Sequence, residues 1–159
     1  MIKKIILAFT VILFFAGCKK SSDNGCGYSD SAIVAPASEV ANLQAYVNAT
    51  HPAAIQHSSG FFYEIIAPGS GSKPNICSSV TVKYTGWLTN GFKFDEELVG
   101  VTFKLGQLIV GWQKGIPLIA KGGSINLFLP PSLGYGGTAQ PGIPANSILI
   151  FNIQLTEVQ

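Results

Sequence analysis

The chain has 159 residues, of which 11% are charged, and its ten positive residues are all Lys. Soluble domains have about 25% charged residues, and nucleic-acid sites rely on Arg and basic stripes, so the composition excludes a dedicated nucleic-acid partner. Hydrophobic residues make up 47%, which excludes general disorder, and two His and three Cys leave little material for a metal site. We therefore predict one globular domain with additional segments and no metal.

The N-terminus has the features of an export signal. Two Lys residues precede an apolar run over residues 5–16, which is too short to span a membrane and suits a signal-peptide core. The tetrapeptide Phe-Ala-Gly-Cys at 15–18 resembles the lipobox of bacterial lipoproteins. We predict a signal peptide over residues 1–17 and acylation of Cys18, for example with palmitate, which would anchor the chain to a bacterial membrane. The alternative is an ordinary cleaved signal with an incidental Cys.

Removal of the signal leaves eight Lys and eight acidic residues, so no net charge steers the mature chain toward membranes or nucleic acid. Lys19, directly after Cys18, favours the outer membrane of the cell envelope, on its periplasmic or surface side. Two further Cys residues remain, Cys26 and Cys77. Because an exported compartment permits disulfides, we expect them to be bonded, with two free thiols as the alternative.

Two segments precede the main domain in chain order. Residues 18–36 are small, polar and aperiodic, which predicts a flexible tether. Within residues 37–60, Val40, Leu43 and Val47 fall on one helical face and Pro52 ends the pattern, so we predict a leader helix over 37–49. This helix is expected to serve packing or dimerisation.

From residue 61 the hydrophobic period changes to that of extended strands. The Asn90-Gly91 pair between two β-prone runs predicts a hairpin. A short helix is predicted over 111–119, with Pro117 near its end, and a long Gly- and Pro-rich loop over 130–146. The strands are predicted over 61–67, 80–85, 92–94, 101–105, 124–129 and 147–158. Residues 61–159 are therefore predicted to form an α+β domain with an antiparallel sheet of five to six strands and one short helix.

The common catalytic motifs are missing from the chain. It has no nucleophile elbow, phosphate loop or dinucleotide fingerprint. The acidic run at 95–97 does not suit a glycosidase pair because adjacent side chains point apart, and Glu96 and Glu97 are expected in a solvated loop. Large aromatic residues instead cluster near the predicted turns. On composition alone these aromatic residues would be taken for core: Tyr84, Phe94, Phe103, Trp112, Tyr135 and Phe151.

Seven short motifs occur in one order, at 82–86, 91–95, 103–107, 109–112, 135–136, 144–146 and 149–151. Together they resemble the FKBP-type peptidyl-prolyl cis–trans isomerases over roughly residues 61–159. The resemblance implies a curved antiparallel sheet wrapped around the short helix, with an apolar pocket between them. It also implies binding of proline-containing unfolded or nascent polypeptides, macrolide immunosuppressants as further ligands, a homodimer formed through the leader helix, and no cofactor.

The resemblance also implies roles for individual residues. Trp112 would form the pocket floor on which a substrate proline rests, and Tyr84, Phe94 and Phe151 would form its walls. The rim would consist of Leu108 and Ile109, with the Ile109 N–H binding a substrate carbonyl. Three residues would be catalytic: Tyr84, Asp95, which bonds the Tyr84 hydroxyl, and Tyr135. Phe103 is expected in the core.

The chain departs from the family pattern after Asp95, where only five residues separate it from Val101 and no Arg is present. We therefore expect weaker activity than in an optimised family member. Two other functions stay open at this point. The first is a non-catalytic chaperone or peptide-binding module that uses the same groove, and the second is a structural envelope lipoprotein.

Overall fold

The computed structural model describes residues 25–159, so the predicted signal peptide, Cys18 and Lys19 lie outside the described residues. No helix in the described range has the length and apolar content to cross a membrane. The elements are α1 (Ala37–Thr50), β1 (Ile55–Gln56), β2 (Phe62–Ala67), β3 (Ser79–Leu88), β4 (Lys93–Lys104), α2 (Val110–Gly115), β5 (Ser124–Leu129) and β6 (Leu149–Val158). The predicted α+β class is confirmed, and the six strands pair antiparallel throughout in the order β1-β2-β5-β6-β3-β4.

Helix α2 lies very close to one face of the sheet because two glycines face strand β5. A Cβ atom at Gly111 would collide with the Leu129 side chain, and one at Gly115 would lie 2.6 Å from Leu127 Cδ1. The two glycines are four residues apart and therefore on one face of the helix. This close approach brings Trp112, next to Gly111, down onto the sheet, where it joins the main hydrophobic core.

The helix predicted over 111–119 divides into two parts. The α-helical part ends at Gly115, and the chain continues as a single 3₁₀ turn over Ile116–Leu118 that contains Pro117. Proline has no N–H to donate to the preceding turn and clashes with it in a longer α-helix, which accounts for the early end.

Helix α1 covers part of the opposite face of the sheet. Its buried residues Leu43 and Val47 pack with Phe62 and Phe128 in a second, smaller core. In its first turn the Glu39 carboxylate accepts a hydrogen bond of 2.9 Å from the Ser132 N–H. Helix α1, which the periodicity predicts, thus packs on the domain through the apolar face of Leu43 and Val47 and through the Glu39–Ser132 hydrogen bond.

Strand β4 differs from the prediction of two short strands joined by a loop. It runs unbroken along β3, with Val101 opposite Val82 and Glu97 opposite Tyr84, so the extra residues form a bulge. The Glu97 carboxylate accepts the N–H groups of Val99 at 2.7 Å and Gly100 at 3.1 Å, and these bonds lower the pKa of Glu97. The expectation that Glu96 and Glu97 lie in a loop is therefore wrong, because both are paired strand residues.

The segment before α1 is attached to the domain at three points. Cys26 and Cys77 form a disulfide with a Cα–Cα distance of 5.7 Å. The Tyr28 ring lies against Gly106, and the buried Ala35 donates its N–H to the Ser59 carbonyl at 3.0 Å. The part of the predicted tether that follows Cys26 thus lies on the domain.

Replacing both Cys26 and Cys77 with Ser should lower the free energy of unfolding. The bond closes a loop with a sequence separation of 51 residues, for which chain entropy predicts a loss of about 4 kcal/mol. Urea denaturation of both proteins measures the difference. A wild type whose unfolding midpoint does not respond to reducing agent would contradict the expectation.

Candidate functional site

A cavity of about 180 Å³ opens between the sheet and α2, on the side of the sheet opposite α1. It is smaller than the roughly 300–1,000 Å³ of sites for drug-sized ligands, and its size suits a single residue of a bound chain. All eight residues for which the resemblance implied catalytic or substrate-binding roles line it, together with Phe103. The lining is Tyr84, Phe94, Asp95, Phe103, Leu108, Ile109, Trp112, Tyr135 and Phe151.

The indole of Trp112 is 5% exposed and is held by rings on three strands. Tyr84 of β3 lies edge-on to it with ring centroids 5.1 Å apart, Phe151 of β6 at 5.2 Å and Phe103 of β4 at 6.4 Å. Edge-to-face contacts of this kind are the favoured aromatic geometry. Within the described residues the buried Trp112 Nε1 has no hydrogen-bond partner, and the residue contributes an apolar ring to the cavity lining.

Phe103 was expected in the core rather than in the cavity wall; it packs against the main core and also lines the cavity. Phe103 pairs with Val80, and it is only partly buried, with its ring against Trp112 at the cavity. Alternation could not show this, because a residue of a cavity wall and a residue of a core occupy the same face of a strand, and no register shift separates Val101 from Phe103. Its position beside other aromatic residues in the motif order was the only available signal.

A second irregularity in β4 explains why two adjacent residues both reach the cavity. Asp95 pairs with Gly86 but Lys93 pairs with Trp87, so β4 has one extra residue at this point. In a regular strand Phe94 and Asp95 would point to opposite faces. The extra residue lets both side chains line the same cavity, one apolar and one charged.

Glycine at position 86 makes room for the two walls. A Cβ atom there would lie 2.6 Å from Phe94 Cζ and 3.0 Å from Phe151 Cε1. The Phe94 and Phe151 rings themselves meet edge-on, with centroids 5.5 Å apart. The distance between the Phe94 and Phe151 walls of the cavity therefore depends on the absence of a side chain at Gly86 in β3.

The side chains of Asp95, Tyr84 and Tyr135 bring one carboxylate and two phenols to the cavity. The Tyr84 hydroxyl donates a hydrogen bond of 2.6 Å to Asp95 Oδ2. Burial and this bond to Asp95 raise the pKa of Tyr84, and burial together with the Asp95 charge raises the pKa of Tyr135. Both phenols therefore stay protonated at neutral pH and act as hydrogen-bond donors.

The rim is carried by residues 105–109, which we call the rim turn: a 3₁₀ turn over Leu105–Gln107 followed by Leu108 and Ile109. Gln113 of α2 fixes it, since its Nε2 donates to the Leu108 carbonyl at 2.7 Å and more weakly to Gly106 at 3.4 Å. Within residues 25–159 the Ile109 N–H has no acceptor in the backbone bonds of the loops and caps. Ile109 itself lines the cavity, and sequence reasoning missed the role of Gln113.

The described part of the chain holds no cluster of metal-ligating side chains. No group of three or more His, Cys, Asp or Glu side chains comes together there. The arrangement instead offers an apolar hollow with a few fixed hydrogen-bonding groups at its edge.

Comparison with known proteins identifies similar chains. The family model of the FKBP-type peptidyl-prolyl cis-trans isomerases matches residues 70–156. The isomerase FkpA of Escherichia coli K12 is 39% identical over 105 residues, which cover 64% of this chain and 39% of FkpA. FkpA of Buchnera aphidicola subsp. Baizongia pistaciae is 44% identical over 105 residues, covering 64% and 42%. The chain therefore spans about two fifths of the length of these relatives.

Two solved structures resemble the fold. The crystal structure of Escherichia coli FkpA superimposes with a TM-score of 0.70 at 35% identity, covering 77% of this chain and 60% of that one. A peptidyl-prolyl cis-trans isomerase of Pseudomonas syringae gives a TM-score of 0.68 at 26% identity, covering 79% of this chain and 97% of that one.

Gly86→Ala should narrow the cavity. The new methyl group has to push Phe94 and Phe151 off their positions, so we expect a loss of about 1–3 kcal/mol of unfolding free energy and weaker binding of proline peptides. Gly137→Ala is the matched control, because its Cβ would meet only Asn146 Oδ1, at 3.8 Å. Urea denaturation and peptide titration of both variants measure the effects, and equal behaviour of the two would contradict the prediction.

The properties of the cavity should not change between about pH 6 and pH 9, because the two phenols have pKa values raised above about 10. A phenol whose pKa is higher in the folded than in the unfolded state stabilises the fold at pH values below the unfolded-state pKa. This contribution is lost as the pH rises through the folded-state pKa. We therefore expect peptide affinity to be constant over that interval and the contribution of the two phenols to the unfolding free energy to be lost only above about pH 10. A midpoint near neutral pH in peptide titrations would contradict this.

Proposed function

The chain belongs to the FKBP-type peptidyl-prolyl cis-trans isomerases, and from this premise we propose that it catalyses cis–trans isomerisation of Xaa–Pro bonds in folding polypeptides of the cell envelope. The observation that carries the proposal is the aromatic cavity above the Trp112 indole. It has the size of a single residue and only one carboxylate in its lining.

The reaction needs a hollow of this kind rather than a reactive group. Rotation about a peptide bond has a barrier of about 18–20 kcal/mol because the amide has partial double-bond character. Xaa–Pro bonds populate both isomers and exchange them over tens to hundreds of seconds. No covalent bond is broken, so neither a nucleophile nor a metal or other cofactor is required.

An apolar cavity favours the twisted geometry over the planar one. The planar amide is strongly polar and well solvated by water, whereas the half-rotated amide has lost resonance and is less polar. Transfer into a dry aromatic cavity therefore disfavours the planar forms more than the transition state, which lowers the barrier. The indole of Trp112 would receive the pyrrolidine ring, with Tyr84, Phe94, Phe103 and Phe151 around it.

The hydrogen-bonding groups would hold the chain on either side of the rotating bond. The Ile109 N–H would bind a substrate carbonyl after the proline, so that this part of the peptide stays fixed while the other part turns. Tyr135, which is 39% exposed at the mouth of the cavity, would donate its hydroxyl to the moving part. Asp95 would lie beside the amide, with its charge moderated by the Tyr84 hydroxyl. The short bulge after Glu97 leaves fewer contacts to the peptide, so we expect modest turnover.

The location and partners of the protein follow from the sequence features outside the cavity. The signal peptide over residues 1–17 and the lipobox ending at Cys18 support export and a lipid anchor, and Lys19 favours the outer membrane. The substrates would be unfolded or nascent proline-containing chains that reach this compartment. Macrolide immunosuppressants would compete for the same cavity, and α1 would be the element through which two copies associate.

Replacing Trp112 with Ala should reduce the acceleration of an Xaa–Pro peptide by at least about tenfold, because the cavity loses its floor. Trp112→Phe keeps a ring and should retain intermediate activity, which guards against a simple loss of folding. The measurement is a protease-coupled assay with the purified full-length protein, with circular dichroism to verify the fold.

Trp87→Phe is the control, since Trp87 is the other of the chain's two tryptophans and lies outside the cavity lining. It should leave the rate unchanged. Peptide binding to the wild type without any acceleration would replace the proposed activity with a non-catalytic peptide-binding role. Absence of binding would leave only a structural envelope role.

A further inference from the structure

The segment before α1 lies outside residues 70–156, which the family model matches, yet it contacts the rim turn. Cys26 is bonded to Cys77, and the next residue, Ser78, accepts a hydrogen bond of 3.0 Å from the Leu105 N–H. The disulfide therefore holds the segment beside the first residue of the rim turn.

Tyr28 lies directly on the backbone of Gly106, in the middle of the 3₁₀ turn. A Cβ atom at Gly106 would lie 2.7 Å from Tyr28 Cδ1 and 2.8 Å from Tyr28 Cβ. Gly106 does not adopt a left-handed conformation, so the glycine is needed for space rather than for backbone freedom. Tyr28 is half-buried, while the Ser and Asp that follow it are exposed.

A second contact fixes the same turn from α2. Gln113 Nε2 donates to the Leu108 carbonyl at 2.7 Å and to the Gly106 carbonyl at 3.4 Å. The rim turn is thus held by a ring from the N-terminal segment and by an amide from the helix. Both contacts lie within three residues of the Ile109 N–H.

We infer that Tyr28, held in place by the Cys26–Cys77 disulfide, is a positioning residue for substrate binding: it orders the rim turn so that the Ile109 N–H and the Leu108 and Ile109 side chains face the bound peptide. This inference rests on the proposed function. Because the Ile109 N–H would bind the peptide in the ground state and in the transition state alike, Tyr28 serves affinity rather than the rate of the bound complex.

Tyr28→Ala should raise KM for an Xaa–Pro peptide by about three- to tenfold and leave kcat within about twofold, the pattern of lost uniform binding. NMR exchange measurements over a range of peptide concentrations separate the two constants. Amide hydrogen exchange at residues 106–109 should also become faster, a readout that needs no activity. Tyr28→Phe, which keeps the ring, should restore wild-type behaviour in both measurements.

Tyr46→Ala is the matched control, because Tyr46 is a partly buried tyrosine on α1, packed against the second core away from the cavity. It should lower stability without changing exchange at 106–109 or KM.

Gly106→Ala tests the same Tyr28–Gly106 contact by changing the glycine instead of the tyrosine. Its methyl group displaces the Tyr28 ring, so we expect the same rise in KM as for Tyr28→Ala. In the variant that combines Tyr28→Ala with Gly106→Ala, the new methyl group has room because the Tyr28 ring is absent. Its KM should therefore be no higher than that of either single variant, a non-additive result expected for residues in contact.

The outcomes separate this inference from the proposed function. A wild type without isomerase activity overturns the proposed function. In that case two other measurements decide whether Tyr28 orders the rim turn: amide exchange, and peptide affinity from Trp112 fluorescence in a Trp87→Phe background. Unchanged exchange at 106–109 in Tyr28→Ala overturns the inference whether or not the wild type is active. A fall in kcat at constant KM also overturns it.

Discussion

The edge-on packing of three aromatic rings around the buried Trp112 indole is the interaction on which the site depends. It requires α2 to lie against β5 at the distance that Gly111 and Gly115 permit, and it requires Gly86 to leave room for Phe94 and Phe151. The rings of Tyr84, Phe103 and Phe151 come from three different strands, so the pairing of β3, β4 and β6 also fixes the position of the cavity floor. The contacts that pack the core around Trp112 are therefore the same contacts that shape the cavity.

This arrangement explains how a nearly uncharged cavity can carry a function. A reaction that breaks bonds needs groups that titrate or react, and such groups stand out from a hydrophobic core. Rotation about an amide needs instead a surface that solvates the planar dipole poorly and a few donors that hold the chain. In our proposal the Ile109 N–H and the Tyr135 hydroxyl are donors of this kind, while Tyr84 donates its hydroxyl proton to Asp95, and burial raises the pKa of both phenols further above neutral pH.

Alternation of apolar residues predicted β3, β5 and β6, because every second residue of these strands faces the main core, whereas β2 was predicted from its β-prone composition. The Asn90-Gly91 pair predicted the hairpin for a local steric reason. The site residues came from motif order rather than from periodicity, since an aromatic residue in a pocket and one in a core follow the same pattern. The continuity of β4 could not be predicted, because two register shifts interrupt its alternation before Val101. The contacts of Gln113 and Tyr28 with the rim turn depend on tertiary packing that no local pattern encodes.

The central claim is that the proline ring lies on the Trp112 indole while its amide rotates. Intermolecular NOEs measured with an isotope-labelled Xaa–Pro peptide, together with exchange peaks between its cis and trans forms, test this most directly. The account predicts contacts from the proline ring protons to the Trp112 indole and to the Tyr84 and Phe151 rings, under conditions in which the exchange peaks grow. Accelerated exchange with proline contacts on another surface, and none at Trp112, would contradict it.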